Sequence, residues 1–194
     1  MIEAIILAAG ESRRMGQLKP LMKIGDQTFL AKIAGEVKKA GIQRTHIVVG
    51  FKAEKIAKNA CVDAFYIHNK HYENGQFSSL QAGISALSRN CSGALVCLAD
   101  QPHIKAEWIG KLVAAFYSNS TVLVRPRFAN RAGHPLIFSS VLFKEIIAMP
   151  ATATAKDIVR KYAAETLFVD MDSDGILLDA DTPQDFEKIK KYIL

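Results

Sequence analysis

The chain has 194 residues, with 25 Lys and Arg against 19 Asp and Glu, a formal net charge of +6, 49% hydrophobic residues and 23% charged ones. That length suits one domain, 1–194, able to bury a proper core, and the composition is neither that of a disordered nor of a fibrous chain. No apolar run approaches a membrane span, the start MIEAIILAAGESRR lacks a secretory leader's basic region and cleavage site, and Cys61, Cys91 and Cys97 show no metal or redox spacing. A cytoplasmic protein with reduced thiols and no membrane contact is therefore expected. The basic surplus is spread over ESRRMGQLK, EVKKAG, VRPRFANR and KIKKY, with no tail, zinc-finger spacing or RNA-binding aromatic signature. A phosphate-rich small molecule accounts for it at least as well as nucleic acid, which is not expected as a partner.

In chain order, Ile2–Ala8 is an apolar strand closed by a glycine turn. Phe29–Ala40 has helical periodicity and ends at Gly41, a natural residue to follow a helix. His46–Val49 is a strand, Ala53–Asn59 a helix and Val62–Ile67 a strand. Ser79–Leu87 is a helix whose start, Ser78-Ser79-Leu80-Gln81, resembles a capping box. Ala94–Leu98 is the fourth strand and Ala106–Phe116 the next helix. Val122–Arg125 and Leu136–Phe138 are strand-like, Val141–Ala148 helical, and Thr154-Ala155-Lys156-Asp157 opens a further helix. Leu167–Val169 and Ile176–Leu178 are short apolar runs. Thr182-Pro183-Gln184-Asp185 starts the last helix with threonine as cap and proline at its first position. Such alternation predicts a three-layer, Rossmann-like α/β fold around a mostly parallel sheet, with ligands beyond the carboxyl ends of the strands.

Three polar motifs fall at such ends: LAAGESRRMGQLK, LADQP and DADTP. The first is neither G-x-G-x-x-G nor a Walker loop, yet its glycines allow several N–H groups to face one anion, and Arg14 and Lys19 add full charges. Asp100 follows an apolar strand and is placed to hold Mg²⁺, as is Asp181, with Asp179 as its rival. Two carboxylates and a cationic loop make a site for a metal–nucleoside triphosphate. Asp170-Met171-Asp172-Ser173-Asp174-Gly175 nearly fits a calcium loop, but a strand-like segment enters it where a helix is required, so a solvated acidic turn is the better reading. His103 and His134 have no partners at zinc spacing. Ser78 and Ser79 lack the setting of an acyl nucleophile, and capping explains them better.

Taken together, LAAGESRRMGQLK, NGQFSSLQAGI, LADQPHI, GHPLIF and DADTPQDF resemble, in order and approximate spacing over nearly the whole chain, the MobA-like nucleotidyltransferases that build guanine and cytosine forms of the molybdenum cofactor. LAAG and LADQP are most similar to the cytidylyl branch. The resemblance implies transfer of CMP from CTP to molybdopterin with release of pyrophosphate. It implies a nucleotide site of Leu7, Ala8, Ala9, Gly10, Arg14, Gly16, Lys19, Ser79, Gly83 and Asp100. Arg14, Lys19 and Asp100 would carry catalysis, Asp100 and Asp181 would hold Mg²⁺, and Gln101 and His134 would meet the acceptor. A molybdoenzyme or its chaperone would be the partner served. The chain departs from the family at Gln76, at Ala132 and in ATATAKDIV, the last two in the half expected to receive the acceptor. A sugar or alcohol phosphate as acceptor, GTP as donor, and a non-catalytic cofactor carrier are the alternatives.

Overall fold

The computed structural model describes residues 1–193. Its strands and helices, in chain order, are β1 (Ile2–Ala8), β2 (Lys23–Ile24), β3 (Gln27–Thr28), α1 (Phe29–Lys39), β4 (Thr45–Val49), α2 (Ala53–Asn59), β5 (Phe65–His68), α3 (Gln76–Ser85), β6 (Gly93–Leu98), α4 (Ala106–Ser118), β7 (Leu123–Phe128), β8 (Arg131–Ala132), β9 (Leu136–Ser139), α5 (Phe143–Ala148), α6 (Ala155–Lys161), β10 (Thr166–Asp170) and α7 (Pro183–Lys190). The main sheet runs β10-β7-β9-β6-β1-β4-β5, with β8 hydrogen-bonded to β7. The pairs β6–β1, β1–β4, β4–β5 and β10–β7 are parallel, and β9 runs against both its neighbours. The mostly parallel α/β fold expected from the sequence is the one observed.

Every residue of β1 is buried, as a strand covered on both faces requires. Alternation still sorts its side chains. Ile2, Ala4, Ile6 and Ala8 pack with Leu30, Ile33 and Val37 of α1, Ile56 of α2 and Ile109 and Leu112 of α4. Ile5 and Leu7 point the other way, to Phe77, Leu80 and Ile84 of α3, Ile146 of α5 and Ile158 of α6. A third, small core joins Phe29 to Ala180 and Ile189, and fixes α7 against α1. Helix starts follow the expected chemistry at three places. The Thr28 hydroxyl accepts from Ala31 N–H, and Thr154–Asp157 and Thr182–Asp185 form capping boxes.

Several expectations are corrected. Helix α3 begins at Gln76 with Gly75 as its cap, so Ser78 is no cap. The Ser78 hydroxyl instead donates back to the Gly75 and His71 carbonyls, the local option a serine takes inside a first turn. Strand β5 starts at Phe65 rather than Val62. Ile176–Leu178 forms no strand: Asp174–Leu177 is a single 3-10 turn.

Glu3 is a fully buried carboxylate at the amino end of β1. His46 Nε2 lies 2.7 Å from it, Arg44 Nε 3.5 Å, and the Ser88 hydroxyl donates to it. Burial pushes its pKa up, but the hydrogen bonds from Ser88 and His46 outweigh burial and leave it below the ordinary value. A depressed carboxylate stabilises the native state above its unfolded pKa, and that contribution is lost as pH falls through the folded value. Glu3→Gln is therefore expected to lose roughly 3 kcal/mol at neutral pH by urea denaturation. The variant should also lack the part of the acid limb that lies below the ordinary glutamate range. Equal stability across that range would remove Glu3 from the account.

Candidate active site

Strand β1 lies between β4 on one side and β6 on the other, and the chain diverges from it in both directions. The crevice beyond the carboxyl ends of β1 and β6 is where such a sheet accepts a ligand. A cleft of about 230 Å³ opens there. Leu7, Ala8, Ala9, Gly10, Ser12 and Lys19 form one wall, Leu98, Ala99 and Asp100 the floor, and Tyr72, Gly75 and Gln76 the far side.

The loop after β1 turns in an unexpected way. Ser12 and Gly16 are its left-handed residues, at φ 57° and 65°. Gly10 is not left-handed, and nothing lies within 4 Å of where its side chain would be. Glycine is thus needed at Gly16 for conformation, and at Gly10 it leaves open space beside the backbone. Ser12 tolerates its conformation with a bond in return: its Oγ accepts from Lys19 N–H at 3.1 Å and closes the loop on itself. That closure sets Lys19 at the head of the 3-10 turn Lys19–Leu21, pinned by buried Pro20.

Lys19 Nζ stands 2.5 Å from Asp181 Oδ1 and 3.4 Å from Asp100 Oδ2, and its side chain is only 12% exposed. Arg14 Nη2 meets the other oxygen of Asp181 at 2.8 Å. The four charges come from segments 81 and 162 residues apart. Ala180 N–H donates to the Asp100 carbonyl at 2.8 Å, and Ala180 is buried in the third core, so α1 and α7 together carry Asp181 to the end of β6. Burial, and then the neighbouring charges of Asp179 and Asp181, push the Asp100 pKa up, against Lys19. Asp100 Oδ1 is buried without a hydrogen-bond partner among the described residues. Asp179 is turned aside: Gln101 Nε2 donates to it at 2.8 Å.

A second cleft, of about 190 Å³, lies past Gln101 and is lined by Arg131, Gly133, His134, Ile176 and Asp179 among others. A Cβ on Gly133 would stand 2.1 Å from the Ile176 carbonyl oxygen. That same carbonyl accepts from His134 N–H at 3.0 Å. Backbone cannot give way as a flexible side chain does, so Gly133→Ala is expected to destabilise by about 2 kcal/mol or more, measured by chemical denaturation. It should also impair the second cleft; a variant as stable as the parent would show the turn to be soft. Burial, with the nearby Arg125 charge, pushes the His134 pKa down to about 4, so its ring is neutral at pH 7.

The structure thus gathers Leu7, Ala8, Ala9, Gly10, Lys19 and Asp100 in the first cleft and Gln101 and His134 in the second, with Arg14 tied to the first through Asp181. Gly16 turns the loop and faces away, towards Leu21 and Lys52. Ser79 and Gly83 do not line the cleft. The Ser79 hydroxyl accepts from buried Asn69 Nδ2 at 3.0 Å, and an added Cβ on Gly83 would press on Ile5 at 2.7 Å. Ser79 ties α3 to Asn69 after β5, and Gly83 sets how closely α3 packs on β1 and β4. Sequence reasoning missed Ser12, Tyr72 and Gln76; the Asn74-Gly75 turn signal before α3 was the available clue to the last two. The acidic turn is no calcium loop: Asp170 pairs with Arg127, Asp172 lies 4.0 Å from Lys111, and Asp174 accepts from the Tyr192 hydroxyl. His103 is also structural, its Nε2 held 2.7 Å from the Gly175 carbonyl.

The donors suit a hard divalent cation. Among the described residues no three His, Cys, Asp or Glu side chains converge on a metal position. Asp100 and Asp181 are bridged by the Lys19 ammonium, with one buried Asp100 oxygen unsatisfied among the described residues. Mg²⁺ and similar ions take one or two carboxylates and complete their shell from substrate phosphates and water. Soft ligands for zinc are missing from the pair.

A profile of the MobA-like NTP transferase domain matches residues 4–166. Over almost the full length of both chains, the sequence is 27% identical to the purine catabolism protein PucB of Bacillus subtilis (96% of this chain, 95% of PucB). It is 25% identical to the molybdenum cofactor cytidylyltransferase of Escherichia coli (98% and 96%). Among solved structures, the Mycobacterium tuberculosis protein Rv0371c in complex with manganese shares the fold with a TM-score of 0.75, at 21% identity over 98% of each chain.

Proposed function

The chain belongs to the MobA-like NTP transferase domain family, and we propose that it transfers CMP from CTP to the terminal phosphate of molybdopterin, releasing pyrophosphate. One observation carries the reading: Lys19 and Arg14, from a loop at the end of β1, meet Asp100 and Asp181 over a cleft at the carboxyl edge of the sheet. The similarity to a molybdenum cofactor cytidylyltransferase, spread over both chains, supports the choice of donor and acceptor.

The chemistry asks little of the protein in covalent terms. The attacking group is a phosphate oxygen, already ionised at neutral pH, so no strong general base is needed. Asp100 lines the first cleft and its neighbour Gln101 the second, so a donor in one and an acceptor in the other would be held side by side. The open backbone at Gly10 and the turn at Ser12 receive the triphosphate. Lys19 and Arg14 neutralise charge on it as pyrophosphate leaves. Asp100 and Asp181 would hold Mg²⁺ or Mn²⁺, which would screen the phosphates and polarise the α-phosphorus. Manganese in a protein of the same fold supports a divalent ion here. Tyr72 and Gln76, which line the same cleft, would border the base. A molybdoenzyme or its chaperone would receive the product.

The test is pyrophosphate release with each of the four nucleotides, with and without molybdopterin. Release that needs molybdopterin and prefers CTP is the expected result. Release only with a sugar or alcohol phosphate, or preference for GTP, would move the assignment to that reaction. The first of these is the second reading. It is kept because the chain departs from the family at Ala132, in the acceptor half, and because a relative named for purine catabolism is as similar to the chain as the cytidylyltransferase. Tight cofactor binding without turnover would make the chain a carrier. Among the described residues, no helix is long and apolar enough to cross a membrane.

A further inference from the structure

The segment Asp179-Ala180-Asp181 lies against the step from Asp100 to Gln101, and the two are joined three times. Ala180 N–H donates to the Asp100 carbonyl at 2.8 Å, Lys19 bridges Asp100 and Asp181, and Gln101 Nε2 donates to Asp179 Oδ1 at 2.8 Å. Ala180 is fully buried in the third core, so the backbone that carries both carboxylates is fixed by the fold. Each cleft receives one of them. Asp181 is held by Lys19 and Arg14 beside the first, and Asp179 lines the second.

The two carboxylates differ in what they have left to offer. Asp181 is taken by two cations. Asp179 is exposed, and among the described residues it is held by Gln101 without a cation. Arg131 lines the same cleft and makes no ion pair with it. A backing amide fixes the plane of a carboxylate without neutralising it, and leaves lone pairs on both oxygens free. Gln101 itself is only 2% exposed, and its Oε1 is buried with no hydrogen-bond partner among the described residues. Native folds seldom leave such an oxygen unpaired, and this one belongs to a residue in the wall of a cleft. The Ile176 carbonyl in that wall is already taken by His134 N–H. Around Gln101 and Asp179, the wall is rich in acceptors and short of donors.

We propose that Asp179, oriented by Gln101, is the acceptor-recognising carboxylate of the second cleft and takes a pair of adjacent hydrogen-bond donors on the acceptor. The proposal deepens the nucleotidyl-transfer reading and rests on it for the presence of an acceptor. In a pterin the paired donors are the ring N–H and the exocyclic amine of the aminopyrimidinone edge, which meet a carboxylate side by side as a guanidinium does. In a sugar or alcohol phosphate they are neighbouring hydroxyls. Either way the acceptor is held by a part remote from its phosphate, whose oxygens stay free to attack. Gln101 is a positioning residue that acts through Asp179. The motif DADTP is thereby divided: Asp181 serves the cation and the donor nucleotide, and Asp179 serves the acceptor.

The test compares the full chain with Asp179→Asn, Gln101→Leu and Asp181→Asn. Binding of plain 2-amino-4-oxopteridine and of the analogue without its amine is followed by fluorescence. Thermal melts are run with Mn²⁺, with CTP, and with glucose 1-phosphate or glycerol 3-phosphate. Asp179→Asn is expected to weaken binding of the aminopteridine roughly tenfold to a hundredfold and to leave the analogue unaffected. Its midpoint gains with Mn²⁺ and CTP should match those of the parent, whereas Asp181→Asn should lose the Mn²⁺ gain and keep the aminopteridine. In turnover, the acceptor KM should rise in Asp179→Asn and Gln101→Leu while the CTP KM holds. Asp179 is exposed, so its variant tests the site whether or not Gln101→Leu folds. Dependence on Asp179 for a sugar or alcohol phosphate instead of the aminopteridine keeps the site and assigns its donors to hydroxyls. If no probe binds the parent, or if binding is indifferent to residue 179, the proposal is overturned. A Mn²⁺ gain lost in Asp179→Asn as in Asp181→Asn also overturns it, and makes Asp179 a metal ligand. If CTP fails to stabilise the parent while aminopteridine binding still depends on Asp179, the nucleotidyl-transfer reading falls and the site stands.

Discussion

Asp100→Asn is expected to lower nucleotidyl transfer by roughly 10²–10³-fold or more while leaving the protein folded. Its melting midpoint should be equal to the parent's or higher. The two halves of that result have one cause. Asp100 sits at the end of β6 with one oxygen buried and unpartnered, and the other 3.4 Å from Lys19. Burial, with Asp179 and Asp181 nearby, raises its pKa. A carboxylate whose folded pKa is raised above its unfolded value detracts from stability once it is ionised, because the unfolded chain solvates the charge better. The native state therefore carries Asp100 at a cost, which the proposed role in holding a cation would account for. Replacing one oxygen by an amide removes the charge that would hold a divalent cation and keeps the shape of the side chain. Turnover and melting measured on the same preparation check both halves. Full turnover in Asp100→Asn would detach this carboxylate from the chemistry, whatever the midpoint does.

The sequence made the sheet and the cleft at the ends of β1 and β6 legible, for physical reasons that did not extend to the second cleft. Strand β1 was readable because burial on both faces demands an unbroken apolar run, and IEAIILA is one but for Glu3. The caps at Thr154 and Thr182 were readable because each motif is complete within four residues. Asp100 stood out only in combination, as a carboxylate after an apolar strand in a chain that also carries Asp181 and a cationic loop. What escaped depends on contacts between distant segments. Nothing local says that Ser12 takes the left-handed position while Gly10 does not, since the choice follows from the bond to Lys19 N–H. Gly83 looked like room for a ligand, yet the space it leaves is filled by Ile5 and Val48. Asp179 and Asp181 are alike in sequence, and only the bond from Gln101 turns the first away from Lys19.

Lys19→Met is expected to remove two functions at once. Transfer should fall by roughly 10²–10³-fold, as a cation directed at the leaving phosphates is lost. The metal-free protein should also lose about 1–3 kcal/mol, because Asp100 and Asp181 no longer share an ammonium between them. Arg14 cannot replace it. That side chain is 70% exposed and reaches only Asp181, so Arg14→Ala should change stability far less. Divalent cation then becomes the discriminating reagent. In the parent, Mg²⁺ or Mn²⁺ must displace Lys19 from Asp181 to gain the carboxylate pair; in Lys19→Met it meets the pair unopposed. The midpoint gained on adding Mn²⁺ should therefore be larger in the variant than in the parent, since a ligand stabilises in proportion to its affinity for the folded state. Adding Asp181→Asn to Lys19→Met should restore the metal-free midpoint and abolish the response to Mn²⁺, because one carboxylate neither repels nor chelates. If instead Lys19→Met matches the parent in metal-free stability and in its response to Mn²⁺, Lys19 acts on the substrate alone, and the carboxylates are held apart by the fold.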